Sequence, residues 1–195
     1  MNTDSSLSKK TKVEKWDVVQ EKKLLNTPVF DVHSHIASLP SKNKSGTFFT
    51  IHTPDWVNVI ALTTNNQIVL VDQYRFATRD SSLEIPGGMV DPSDKDPLES
   101  AKRELEEETG FTSDSWLKLG KVSVNPALFN NHCHLYLARN CKKTKDQEPD
   151  EHEVIEVSLI ALNDFFEKIR NGEIHHSLVV AAVSQYLLWE KLSLK

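Results

Sequence analysis

The order of local patterns along the chain predicts an α+β sandwich with antiparallel strands added at its N-terminus. Three observations carry this. Strand-like and helix-like segments alternate without a regular βαβ repeat, a hairpin pattern fills the residues before 54, and helices occur once mid-chain and twice at the C-terminus. With 195 residues, 38% of them hydrophobic and 26% charged, the chain has globular composition and suits one fully cored domain with a small N-terminal elaboration. The expected division is a disordered tail over 1–12, N-terminal strands over 13–53 and a main domain over 54–195.

The tail is rich in Ser, Lys and Thr and lacks the apolar stretch of a signal peptide. Residues 15–26 are ambiguous: Trp16, Val18, Val19, Leu24 and Leu25 stand among charges, and only Val18-Val19 is weakly strand-like. Residues 27–37 read as a strand, because Val32, Ser34 and Ile36 alternate with Asp31, His33 and His35. A turn over 39–46 and a strand over 47–52 complete a hairpin. Asp31, His33 and His35 fall on one face, and His-x-His is a transition-metal pattern. With no further ligand evident in the neighbouring sequence, a polar sheet face is the preferred reading.

Pro54-Asp55 breaks the pattern, and 56–63 is apolar enough to be a strand buried on both faces. Asn65-Asn66 makes a hairpin turn into the strand 67–74. Arg75 follows at the strand end, where a guanidinium suits a bidentate clamp on phosphate; a plain surface Arg is the alternative. Trp56 reads either as a core residue or as a ring that stacks on a base. Leu83-Glu84-Ile85 is a short strand delivered through Pro86 into the Gly87-Gly88 turn.

Residues 97–109 form the most strongly signalled element. Asp96 can cap, Pro97 suits the first helical position, Glu99 stands three residues after the cap and Gly110 stops the helix. Leu98, Ala101 and Leu105 make a narrow buried stripe. The second half is less easily structural. Glu104, Glu106, Glu107 and Glu108 pile negative charge on the negative end of the helix dipole, each at a cost of roughly 0.3–1 kcal/mol. Residues 104, 107 and 108 share a face, so a divalent cation with a preference for oxygen would relieve them. A solvated acidic face neutralised by Lys102 and Arg103 is the bland alternative.

Beyond the helix, 116–124 reads as a strand, 125–131 as a loop, and 132–138 as a strand alternating around Cys133, Leu135 and Leu137. His132 and His134 are expected to line a cleft or sheet face. Residues 139–150 read as a flexible charged loop, 154–159 as a strand, and 164–170 and 177–192 as helices.

From Gly88 to Phe111 the chain resembles the Nudix box, G-x5-E-x7-R-E-U-x-E-E-x-G-U. Arg103, Glu104, Leu105, Glu107, Glu108, Gly110 and Phe111 occupy every specified place of its second half. The first half departs by one extra loop residue, which puts the family's first Glu at Asp94 or Lys95. Gln73-Tyr74-Arg75 and the Leu83-to-Gly88 stretch resemble the branch that acts on ADP-ribose and other nucleoside diphosphate sugars, extending the likeness to roughly residues 47–188.

The resemblance implies a Nudix-type α/β/α sandwich with a mixed sheet, and Mg²⁺-dependent hydrolysis of a nucleotide sugar to a nucleoside monophosphate and a sugar phosphate. Mn²⁺ is a possible substitute. It implies metal ligands at Glu104, Glu107, Glu108, Glu153 and the Gly87 carbonyl, with Arg103 positioning the glutamates. Glu151 is the implied group that orients or deprotonates water, and Arg75 and Glu84, with Trp56, are candidate substrate contacts. ADP-ribose is the first expected substrate and GDP-mannose or another nucleotide sugar the next. A nucleoside triphosphate pyrophosphatase and a non-hydrolytic nucleotide sensor are the alternatives. The branch also implies a homodimer whose N-terminal strands reach the partner.

Net charge of −5 disfavours nonspecific nucleic-acid binding. No apolar run reaches the length of a membrane span. The two cysteines, Cys133 and Cys141, form neither a metal nor a redox spacing, which suits a reducing cytoplasm.

Overall fold

A computed structural model describes residues 13–150 and 152–193. The expected disordered tail at 1–12 and the candidate base Glu151 therefore lie outside the described residues. The chain divides into two compact units, Met1–Thr53 and Pro54–Lys195.

The first unit is a three-stranded antiparallel sheet in the order β1 (Asp17–Asn26), β2 (Asp31–Leu39), β3 (Lys44–His52). The ambiguous stretch after Lys15 is thus a full strand, paired residue for residue with β2 except at two bulges. Charges without a period hid it from a pattern reading, because β1 is exposed along its whole length. Thr27 closes the β1–β2 turn: its hydroxyl accepts from the Val29 and Phe30 amides at 3.2 and 2.9 Å. A 3₁₀ turn, Pro40–Lys42, with Asn43 in the left-handed region, joins β2 to β3. Alternation along β2 sends Asp31, His33 and His35 to one face, as expected, opposite His52, Thr50 and Phe48 of β3.

The second unit is a seven-stranded mixed sheet between helices. Its strands are β4 (Trp56–Thr63), β5 (Gln67–Arg75), β6 (Asp80–Glu84), β7 (Phe111–Thr112), β8 (Ser115–Ser123), β9 (His132–Lys143) and β10 (Ile155–Ala161). The main path runs β10-β5-β4-β9-β7, with β6 beside β5 and β8 beside β9. Only the central pair, β4 and β9, is parallel. These strands are apolar on both faces because both faces are covered. Ile60, Ile68, Leu70, Leu135 and Leu137 face α2 (Leu162–Arg170) and α3 (Ser177–Ser193), where Phe165, Ile174, Val179 and Ala182 complete the larger core. Val57, Val59, Ala61, Val69, Tyr136 and Ala138 face the other way, onto Ala101 and Leu105 of α1 (Pro97–Thr109). Truncating a side chain as enclosed as Leu105 would cost about 2–5 kcal/mol.

Helix α1 has the ends its sequence specifies. The Asp96 carboxylate accepts from the Leu98 and Glu99 amides at 2.8 and 3.1 Å. Gly110, at φ 73°, donates its amide to the Glu106 carbonyl at 2.8 Å. Residues 139–150 depart from the expected flexible loop. Strand β9 continues to Lys143 because Phe111 and Thr112 pair with Lys143 and Lys142. The next residues are tied to the end of α1: the Thr144 amide donates to the Gly110 carbonyl at 2.9 Å and the Glu148 amide to the Glu107 carbonyl at 2.7 Å. The orphan carbonyls at a helix C-terminus supply the acceptors, a tertiary pairing that local composition does not register.

Candidate active site

The Ile85-Pro86-Gly87-Gly88 segment leaves β6 and runs along β4. The Val59 amide donates to the Pro86 carbonyl and the Val57 amide to the Gly88 carbonyl, both at 2.9 Å, and the Gly87 carbonyl between them stands outside this ladder. Both glycines are required by close approach. A Cβ on Gly87 would lie 2.1 Å from the Val57 carbonyl oxygen, and one on Gly88 would lie 2.5 Å from the Glu104 carboxylate. The turn is thus pressed between the β4 backbone and the acidic face of α1.

On that face Glu108 is 2% exposed, continuing the buried stripe of Ala101 and Leu105. Its Oε2 accepts the Gly87 amide at 2.9 Å. Burial pushes its carboxyl up to about 8, with Glu104 and Glu153 adding to the rise. Burial likewise raises Glu104 to about 7, against the lowering effect of Arg103. Glu107 is more open and pairs with Arg103, whose Nη1 donates to Glu107 Oε2 at 2.9 Å and sits 3.0 Å from Glu104 Oε1. The Arg103 Nη2 also reaches the Met89 carbonyl at 3.3 Å. Arg103 therefore touches Glu104 and Glu107 together, and Glu99 accepts the Lys95 amide at 3.0 Å.

Asp94, one of the two candidates for the displaced loop position, contacts the helix. Its Oδ2 accepts from Ser100 Oγ at 2.8 Å and lies 3.4 Å from Arg103 Nε, so the shorter carboxylate braces the loop against the helix despite the added residue. Glu153 follows the tied segment, with its carboxylate accepting the Asp150 amide at 3.3 Å. Its charge adds to the upward shift of both Glu104 and Glu108.

Arg75 and Glu84, at the ends of β5 and β6, form a two-point pair: Arg75 Nε donates to Glu84 Oε1 at 2.9 Å and Nη2 to Oε2 at 2.8 Å. Burial alone would raise Glu84, but the Arg75 hydrogen bonds and charge outweigh it and hold the carboxyl below its ordinary value. Glu84 is 2% exposed, so its position is that of an anchor for Arg75, whose side chain remains 43% exposed. Trp56 lies half-buried at the rim of the larger core, its ring 6.3 Å from that of Phe129. This is packing, and the carboxylate cluster does not include it.

Two contacts escaped the sequence reading. His176, just before α3, places Nε2 3.9 Å from Glu84 Oε2, and no pattern in His175-His176 signals it. Asp55, taken only as a strand breaker, receives the His132 amide at 2.8 Å and lies 2.8 Å from His134 Nε2. His134 is thereby held by a hydrogen bond with Asp55.

The side chains of Glu104, Glu107 and Glu108 offer only oxygen donors, and among the described residues these carboxylates outnumber the one guanidinium that touches them. Such a set fits a hard divalent cation. A family model described as the NUDIX domain matches residues 53–182, well over half of the chain.

The chain belongs to the NUDIX family. It is 34% identical over 146 residues to the methanol dehydrogenase activator of Bacillus methanolicus, spanning 74% of this chain and 78% of that protein. It is 28% identical over 175 residues to the ADP-ribose pyrophosphatase of Bacillus subtilis (strain 168), spanning 89% of this chain and 94% of that protein. The fold is shared with a solved ADP compounds hydrolase, at a TM-score of 0.82 and 20% identity over 94% of this chain and 98% of that one. The chain is a Nudix hydrolase, and its sheet and helices are those of the NUDIX fold. Among the described residues no helix is long and apolar enough to cross a membrane. Cys133 and Cys141 are buried free thiols, raised by burial to about 12 and about 11.

Proposed function

We propose that this hydrolase cleaves the diphosphate bridge of nucleoside diphosphate sugars with Mg²⁺, ADP-ribose foremost, giving a nucleoside monophosphate and a sugar phosphate. The observation that carries the reading is the carboxylate pair of part-buried Glu104 and buried Glu108, pressed on the Gly87-Gly88 turn. Support for the substrate class comes from the likeness to an ADP-ribose pyrophosphatase over nearly its full length.

Glu104, Glu107, Glu108, Glu153 and the Gly87 carbonyl would hold the metal. Bound Mg²⁺ supplies neutralisation of the diphosphate charge and activation of a water molecule. The chain's own groups do the rest. The Gly87 amide holds Glu108 Oε2 in place, and Arg103 fixes Glu104 relative to Glu107. Arg75, with Nε and Nη2 committed to Glu84, presents its remaining edge to a phosphate oxygen. Glu151 is the proposed proton acceptor for the attacking water, with Glu153 two residues further along the sequence. The protein is proposed to act in the cytoplasm as a homodimer, with the N-terminal sheet contributing the interface. In support, Leu25, Ile36 and Phe49 are exposed there.

The test is a panel of ADP-ribose, GDP-mannose, UDP-glucose and nucleoside triphosphates, with products resolved by chromatography. Preferred release of AMP from ADP-ribose supports the proposal. Preferred pyrophosphate release from triphosphates would replace it with a triphosphate pyrophosphatase, and tight binding without turnover with a nucleotide sensor.

A further inference from the structure

The N-terminal sheet carries a second cluster of ligating side chains, separate in composition from the all-oxygen set of α1. One ligand atom from each of Glu21, His35 and His52 lies within 4.8 Å of the other two. Three strands supply them: Glu21 on β1 stands directly opposite His35 on β2, and His52 closes β3 two residue pairs beyond His33 and Thr50, on the same face. His35 Nε2 and His52 Nε2 both lie within hydrogen-bond distance of the Thr50 hydroxyl, at 2.7 and 3.0 Å, so the two imidazoles converge on one point. Glu21 Oε2 is 3.9 Å from His35 Nδ1, and Oε1 is 2.6 Å from His33 Nδ1.

The three rings are nearly parallel. His33 and His52 stack at 4.0 Å with 12° between planes, and His35 and His52 lie 6.1 Å apart at 27°. Three imidazoles stacked this closely repel one another when protonated. A neutral imidazole keeps one nitrogen lone pair that a metal can take. The Nε2 of His33 is also enclosed and has no hydrogen-bond partner among the described residues. Buried polar atoms of this kind are rare without a water or ion that completes them.

We propose that Glu21, His35 and His52 form a binding site for a divalent transition metal of the zinc class. Two imidazole nitrogens and one carboxylate oxygen are ligands such ions take and Mg²⁺ does not favour. Ligand atoms around zinc sit about 3.4 Å apart when bonds are ~2.1 Å, so side-chain rotation without strand movement closes the set. His33, held by Glu21, stacks on His52 and orients it as an outer partner. Three protein ligands leave a position open to water, Thr50 or a small anion. The site uses no residue of the proposed hydrolytic cluster, so it stands or falls separately.

The experiment is Co²⁺ titration of the chelator-treated full chain in excess Mg²⁺, which saturates the oxygen site, with visible d–d absorption as the readout. One equivalent of Co²⁺ should develop bands that Zn²⁺ abolishes. The combined variant His35→Gln, His52→Gln should lose more affinity than the ~10- to 100-fold typical of outer-partner substitutions. Glu107→Gln should leave the titration unchanged. No bands in the Mg²⁺-saturated wild type, or equal bands in the histidine variant, would overturn the proposal. Should that variant misfold, histidine side-chain NMR of the wild type decides. One equivalent of Zn²⁺ moves the His35 and His52 resonances if the site exists, and unmoved resonances refute it.

Discussion

Replacing Glu108 by Gln should stabilise the metal-free protein at pH 8 and do almost nothing at pH 5. A carboxyl raised by burial holds its proton more tightly folded than unfolded. Between the ordinary value of 4.5 and about 8, the folded state therefore carries more bound protons, and stability falls as pH rises through that window. Below it, protonated Glu108 and Gln are near-isosteric, and the Gln oxygen can still accept the Gly87 amide. At about 1.4 kcal/mol per unit, the full shift sets a ceiling near ~5 kcal/mol. Part of the rise at Glu108 comes from the charge of Glu104, itself raised, so the full shift is not realised and a gain of about 2 kcal/mol is expected from the substitution.

Urea denaturation of wild type and variant at pH 5, 6.5 and 8 with chelator measures the difference. His52 and His176 are both held below their ordinary value by burial and slope the opposite way near pH 6.5, and comparing the two proteins cancels them. Mg²⁺ should invert the order at pH 8: at 100 times its dissociation constant it adds about 2.7 kcal/mol to wild type alone. A variant no more stable than wild type at pH 8 without metal, or equally stabilised by Mg²⁺, would refute the assignment of Glu108 as a strained ligand.

Other expectations follow from single contacts. Glu84→Gln keeps one acceptor for Arg75 but removes the charge. It should cost about 1–2 kcal/mol of stability, reduced from a fully buried pair because Arg75 is half exposed, and should raise KM more than it lowers kcat in steady-state kinetics. Gly88→Ala meets only the movable end of Glu104, so circular dichroism should show an intact fold while hydrolysis falls at least ~100-fold. Gly87→Ala meets the Val57 backbone and should lower the melting temperature as well. Arg103→Lys cannot span Glu104, Glu107 and Asp94 together, and should weaken Mg²⁺ affinity by calorimetry about 10- to 100-fold.

Helix α1 was legible in the sequence almost to the residue because its signals are local: a capping Asp96, Pro97, an apolar stripe and Gly110. Strands β4 and β5 were legible because burial on both faces leaves a continuous apolar run. Strand β1 was not, since an exposed strand is defined by its partner and its own side chains carry no period. The end of β9 and the 144–148 segment were misjudged for the same reason, as the first pairs with Phe111 and Thr112 and the second bonds to Gly110 and Glu107, all thirty or more residues away in sequence. Within the site, spacing alone placed Glu104 and Glu108 on one face. It gave no hint that Glu84 would be buried beneath Arg75, because a strand end adjacent to Pro86 reads as exposed. The His33 and His35 pattern lacked its third and fourth members until β1 and β3 supplied Glu21 and His52.

The most direct measurement of the central claim is phosphorus NMR of ADP-ribose incubated with the purified full chain in ¹⁸O-water and Mg²⁺. The expected result is loss of the diphosphate signals and appearance of two phosphomonoesters, one carrying the heavy isotope, with the reaction stopped by chelator and restored by added Mg²⁺. An unchanged diphosphate spectrum in the Mg²⁺ sample, or cleavage that continues after the metal is removed, would contradict it.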